Sequence, residues 1–341
     1  MTAKLGRGFL VALFLCAAAA GIGYRLLVPA GGGGDGAEEL AKQARDALEA
    51  VKNRDLTPSP SLRVTATYDA ILAPLDRLLR LAENILEGET AEPVADYERI
   101  RSLAEPVIEI SLLAREQSRR ETGAFRKDYR FMEQRGEACR LLATALWNRL
   151  EALHGNSAGR DGSRFVPGAA DSEKLYALVK DGLDSDPANK SLWYLRSLVE
   201  RANGVFGRAE GDLRKALSLD SRYVAAWNDL GLVLIRLGRF EEAGEAFAQA
   251  KDRAAEAARL AGRPVGADYA AALLNLAEFH LDLADSFRRE IATDPANRDN
   301  QDRLGRHLTG AAEAVRELLA NMPAESPEAI EGRKLLSRIT Y

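Results

Sequence analysis

YVAAWNDLGLVLIRLGRFEEAGEAFAQA (Tyr223–Ala250) carries a Trp, a Leu-Gly pair, a second Gly, a Phe and several Ala at spacings that recur upstream. A shift of 34 residues lands on SLWYLRSLVERANGVFGRAEGDLRKALSLD (Ser191–Asp220). Trp193 then meets Trp227, Gly204 meets Gly238, Phe206 meets Phe240, Ala209 meets Ala243 and Ala216 meets Ala250, with Leu213 against Phe247. This period is the length of a helix-turn-helix unit that must stack on a neighbour to hide its apolar faces. Each Gly should turn the first helix of a unit, the Phe and Ala after it should open the second, and the last Ala should let the next unit approach.

The second copy resembles the tetratricopeptide repeat family through Trp227, Leu230, Gly231, Gly238, Ala243, Phe247 and Ala250, with Leu234 where the family has Tyr. The first copy departs further, with Arg196-Ser197 in place of Leu-Gly. The closing Pro of the family stands at Pro187, after the half-repeat SEKLYALVKDGL, while its slot in the first full copy holds Ser221. The resemblance spans Ser172–Arg259, weakens toward the C-terminus and is absent before Gly155. TDPAN (Thr293–Asn297) echoes SDPAN (Ser185–Asn189) at 108 residues, three periods plus six, a surplus that fits in RLAGRPVG (Arg259–Gly266). A degenerate third unit without Trp or turn Gly is therefore expected there, and a capping helix after the break at Met322–Pro327.

Outside the repeats the chain also reads as helix. It has 341 residues, 46% hydrophobic and 29% charged, with 6% aromatics and no alternating β-branched run, so an all-α fold able to bury a core is expected. A net charge of −4 offers no excess of positive charge for a phosphate backbone, which argues against nucleic acid. Residues 37–154 read as an antiparallel helical bundle. Ile71, Leu72, Leu75, Leu78, Leu79, Ala82, Ile85 and Leu86 form one face that ends at Gly88, with Pro74 starting or kinking that helix. Pro93 and Pro106 each fit a first helical turn. Phe125, Tyr129, Met132, Gly136, Cys139, Ala143, Leu146, Leu150 and Leu153 alternate gaps of four and three. That period suits either a coiled-coil seam or the inward face of a bundle, and three small residues favour the bundle. GNSAGRDGSRFVPG (Gly155–Gly168) breaks the pattern and marks a linker at 155–171, ahead of a repeat domain at 172–341.

At the N-terminus, an apolar run from Phe9 to Tyr24 follows Lys4 and Arg7, and acidic residues follow it. With Arg25 snorkelling and Leu26–Ala30 added, residues 1–30 are long enough for a membrane helix with the N-terminus cytoplasmic and the bulk exported. The alternative is a signal peptide cleaved near Ala18-Ala19-Ala20. Leu15 before Cys16 argues against lipidation. GGGGDG (Gly31–Gly36) reads as a flexible tether. Cys16 and Cys139 leave one thiol in the exported part and no internal disulfide. Cys139, on the apolar seam, reads as a buried inert thiol.

Catalytic chemistry finds little footing. Ser157 in GNSAG fits a nucleophile elbow by letter, but that elbow needs a strand before it and a helix after it. His154, His280 and His307 lack metal-ligand spacing; His280 with Asp282 and Asp285 is the nearest to a site and reads as helix-surface polarity. No cofactor and no metal is expected. REQSRRETGAFRKDYRFMEQR (Arg115–Arg135) holds seven basic and four acidic residues, which reads as a solvated face with ion pairs three or four residues apart rather than a lipid-binding patch.

The resemblance implies a concave groove lined by the first helix of each unit, able to hold a segment of another protein. Carried onto the two copies, that face holds Ser191, Tyr194, Leu198 and Arg201, then Ala225, Asn228, Leu232, Ile235 and Arg236. Tyr194, Arg201, Asn228 and Arg236 are the expected polar contacts. The Lys and Asn clamp that some members use for a terminal carboxylate is not reproduced. The expectation is a membrane-anchored scaffold that binds other proteins of the cell envelope and is not an enzyme. The competing reading is a self-assembling oligomer built on the seam at 125–153.

Overall fold

The computed structural model describes residues 33–52, 62–88, 92–120, 128–154 and 167–339. Twelve α-helices and no strand are found among them. They are α1 (Gly33–Lys52), α2 (Leu62–Glu87), α3 (Pro93–Arg120), α4 (Asp128–His154), α5 (Ala169–Ser185) and α6 (Lys190–Ala202). The series continues with α7 (Phe206–Leu219), α8 (Val224–Arg236), α9 (Phe240–Leu260), α10 (Ala267–Thr293), α11 (Arg298–Asn321) and α12 (Pro327–Ile339). The apolar run at 9–30 and Ser157 lie outside the described residues, as does most of the 155–171 stretch. Among the described residues no helix is long and apolar enough to cross a membrane.

Consecutive helices pack as hairpins, α2 with α3, α4 with α5, α6 with α7, α8 with α9 and α10 with α11. The even-numbered helices also touch one another, α2 to α4, α4 to α6, α8 to α10 and α10 to α12. Arg201 on α6 and Asp229 on α8 close the remaining step at 3.0 Å. Two layers result, with the even helices in one and the odd helices in the other. Apolar burial holds them together in three linked clusters. The first runs from Ala37 on α1 to Val199 on α6. The second gathers α7, α8 and α9 with Phe279, and the third joins the end of α9 to α10, α11 and α12.

The turns follow from a few residues. Gly204 and Gly238 adopt φ of 76° and 74° between the helices of each repeat, a region closed to most side chains. Behind each, the next N–H reaches back to the helix, Val205 to Glu200 O at 2.8 Å and Arg239 to Leu234 O at 2.9 Å, which caps otherwise unpaired carbonyls. Between repeats, an Asp accepts a backbone N–H two residues on: Asp186 from Ala188 at 3.1 Å, Asp220 from Arg222 at 2.9 Å and Asp294 from Ala296 at 3.3 Å. Trp193 donates its indole N–H to Pro187 O and Trp227 to Ser221 O, both at 2.9 Å. At the TDPAN echo Gln301 takes the place of the Trp and donates to Pro295 O at the same 2.9 Å. The echo is therefore the same turn built from different side chains.

Several expectations need correction. The third repeat is not a degenerate hairpin, because α10 runs unbroken over 27 residues. Its sequence holds no Gly or Pro to stop it, and the Gly turn occurs earlier, at Gly262 with φ 61°. The half-repeat before Pro187 has a partner after all, since α5 packs on α4, so repeat-like pairing reaches upstream of Gly155. Pro106 lies inside α3 and Pro74 inside α2, while Pro93 opens α3. Helix α1 begins at Gly33, within the stretch read as a tether; Glu38 and Glu39 near its start complement the helix dipole.

The seam on α4 faces inward. Cys139, Ala143, Leu146 and Leu150 are buried, while Tyr129 and Leu153 at its ends are exposed. Its small residues have a use in close packing: a Cβ on Gly136 would come within 2.7 Å of Asp186 Cβ, and one on Gly182 of α5 within 3.0 Å of Cys139 Cβ. Burial pushes the Cys139 thiol up to about 12, so it stays protonated and unreactive. The reading of the basic segment is corrected at Arg130 and Arg135, while residues 121–127 lie outside the described residues. Arg135 donates to Ile108 O on α3 at 2.8 Å and pairs with Asp181 on α5 at 2.9 Å, and Arg130 pairs with Asp76 on α2 at 3.5 Å. These cations join helices instead of dressing one helix face.

Candidate partner-binding face

The even layer brings the outward faces of α6 and α8 side by side, which is where the sequence places the groove. Tyr194 and Arg201 turn toward the α6–α8 junction. Asp229, 5% exposed, accepts from Arg201 Nη1 at 3.0 Å, and the phenol of Tyr194 hydrogen-bonds to it as well. The Tyr194 ring packs 5.1 Å from that of Tyr223, which precedes α8. Burial, then the charge of Asp229, drives the Tyr194 hydroxyl well above the ordinary phenol range. Burial pushes Tyr223 up to about 12, against a hydrogen bond with Ser191 that lowers it. Both therefore act as neutral hydrogen-bonding groups at neutral pH.

Asn228 is 9% exposed and accepts from Asn275 of α10 at 3.3 Å. Leu198 is 6% exposed and belongs to the first core. Tyr194, Leu198, Arg201 and Asn228 thus form a floor that ties α6, α8 and α10 together. Leu232 and Ile235 are half-buried on the second core, and Arg236 is exposed with its guanidinium 4.9 Å above the Phe206 ring. Ser191 and Ala225 are half-buried at the helix starts.

Sequence reading missed the acid that organises this floor. Asp229 lies 28 residues beyond Arg201, and one shared carboxylate bonded to both Arg201 and Tyr194 is a tertiary fact with no local signature. A second ion pair marks the same layer at the repeat junction, where Lys190 of α6 donates to Asp220. That bond, with the Arg222 N–H, holds the Asp220 carboxyl below the usual range. Among the described residues no group of three or more His, Cys, Asp or Glu is placed to hold a metal.

A stack of helix-turn-helix hairpins, two of them related by a 34-residue repeat, is the class this geometry defines. No family model and no curated protein matches the chain. Among solved structures it is similar to PilW, a widely conserved type IV pilus biogenesis factor, at 17% identity over 77% of this chain and 98% of that one, with a TM-score of 0.39. It is similar also to MamA, at 13% identity over 60% of this chain and 99% of that one, TM-score 0.31. A thermophilic TPR protein of Thermus thermophilus matches at 21% identity over 68% of this chain and 99% of that one, TM-score 0.28. The repeat assignment rests on correspondences internal to the chain, not on these likenesses.

Proposed function

We propose that the chain is a protein-interaction scaffold that holds a segment of another protein against the even-helix layer, at α6 and α8. The observation that carries this reading is the placement of Leu232, Ile235 and Arg236 on one helix face beside a floor whose own polar groups are already paired. A satisfied floor stays rigid, so a guest segment meets a surface already organised for it. Two part-exposed aliphatic side chains and a guanidinium suit a segment with an apolar anchor and an acidic group. Tyr194, Leu198, Arg201 and Asn228 shape this surface in the proposal, and Leu232, Ile235 and Arg236 touch the guest. The scaffold is further proposed to be non-enzymatic, anchored in a membrane through residues 9–30 and to serve other proteins of the cell envelope, a reading supported by the sequence of that segment.

A photo-crosslinking residue at Ile235, compared with one at the exposed Lys215 of the odd layer, tests the face. A discrete adduct from position 235 alone is expected in cells. Equal labelling from both positions, or none from position 235, ends the assignment. A reporter fused after Gly36 that is active only outside the cytoplasm is the expected outcome for the topology.

A further inference from the structure

His280 of α10 and His307 of α11 stand 27 residues apart in the chain, yet their Nδ1 atoms lie 3.0 Å from each other. Two such nitrogens hydrogen-bond only when one carries a proton and the other does not. The rings are confined. His307 stacks on Phe287 at 5.5 Å with 13° between planes, His280 lies 5.2 Å from Phe279, and a Cβ at Gly310 would meet His280 Nε2 at 2.7 Å. Neither ring can swing away without disturbing the contact between α10 and α11.

We propose that this pair is an acid-sensitive latch: it ties α10 to α11 while one proton is shared, and it repels when both rings are charged, loosening the last hairpin from the stack. Among the described residues no third metal donor is gathered there, and the charge of Arg306 acts on His307.

The surroundings determine the sign. Burial and the His307 charge hold His280 down to about 4, and burial with Arg306 holds His307 below the ordinary imidazole range. Arg303 lies over Phe287 and adds a further cation on α11. The carboxylates of α10 are engaged elsewhere, Asp285 with Arg288 at 2.8 Å and with Arg338 of α12 at 3.4 Å, while Glu278 and Asp282 face Arg338 and Glu331 of α12. From α9, Lys251 reaches Glu317, ten residues beyond His307, and Asp252 acts on Tyr269 near the start of α10. Helix α8 presents the neutral Asn228. None of these carboxylates bears on either ring. Both imidazoles take up protons more readily in the unfolded chain, so their contribution is full above about pH 6.5 and is lost as pH falls from there toward 4.

The test is the thermal midpoint of the full chain between pH 8 and 5, for the wild type and for His280→Gln/His307→Gln. The wild-type midpoint should fall through this window, and the variant should lose at least half of that fall. Equal falls would overturn the latch. Nuclear magnetic resonance titration of the wild-type imidazoles decides without any variant: His280 and His307 should titrate below about pH 6.5, and ordinary or raised midpoints for both would overturn it.

Discussion

The two repeats share a backbone plan and solve its packing with different chemistry. Where the second places Leu230 against the turn of the core that holds Ala246, the first has Arg196 and Asp212. Arg196 grips Asp212 with two bonds, at 2.8 and 2.5 Å, beside the Trp193 ring 4.4 Å away. Where the second has Gly231 under the Phe247 ring, the first has Ser197 and Leu213. The exchange is volumetric, since a Cβ on Gly231 would stand 2.5 Å from Phe247. The smaller Leu213 leaves room for Ser197, whose hydroxyl donates to Tyr194 O at 2.6 Å. A departure from the repeat pattern is thus a coupled pair of changes on facing helices, and the departures in the first copy are solutions instead of decay.

Breaking the ion pair should show the largest effect. Asp212 is 6% exposed, so Arg196→Ala leaves a buried carboxylate without its partner and should cost about 3 kcal/mol in urea unfolding. The exchange Arg196→Leu/Asp212→Ala, which imports the pair of the second repeat, should fall within about 1 kcal/mol of wild type. Independent, additive losses from the two changes would show that the copies are not equivalent frames. The second repeat offers the reciprocal experiment. Gly231→Ser should cost about 2 kcal/mol by overpacking against Phe247, and adding Phe247→Leu should lower that cost instead of adding to it. The smallest effect sharpens the likeness. Gly204→Ala and Gly238→Ala should each cost about 1 kcal/mol and by equal amounts, measured as paired shifts in the unfolding midpoint, because both sites have positive φ and open space around a new Cβ.

These exchanges also show what the sequence displays and what it hides. The period, the turn glycines and the small Ala216 and Ala250 were legible because each is a local steric demand repeated at a fixed offset, and both alanines are fully buried. The same offset pairs Leu198 with Leu232 and Val199 with Val233, and both valines are in the core. Arg196 with Asp212 was available too, had the two copies been compared on both helices at once. Other features had no such handle. The hairpin of α4 with α5 spans a long Gly-rich connection that looks like a boundary. The unbroken α10 is an absence of stop signals where the period asks for one. Asp229 under Arg201, and His280 beside His307, are meetings made only by the stacking of helices distant in sequence. On the proposed face, sequence reading could not tell the side chains that point out from those consumed inside.

The three apolar clusters are joined by few side chains. Trp193 and Tyr194 pack on both the first and the second, and Leu276 on both the second and the third. In a quasi-one-dimensional stack, cohesion passes only between neighbours, so these residues act as rivets between three plates. Truncating Trp193 and Tyr194, or Leu276, to Ala should therefore loosen one plate from the next more than it loosens the packing inside either plate.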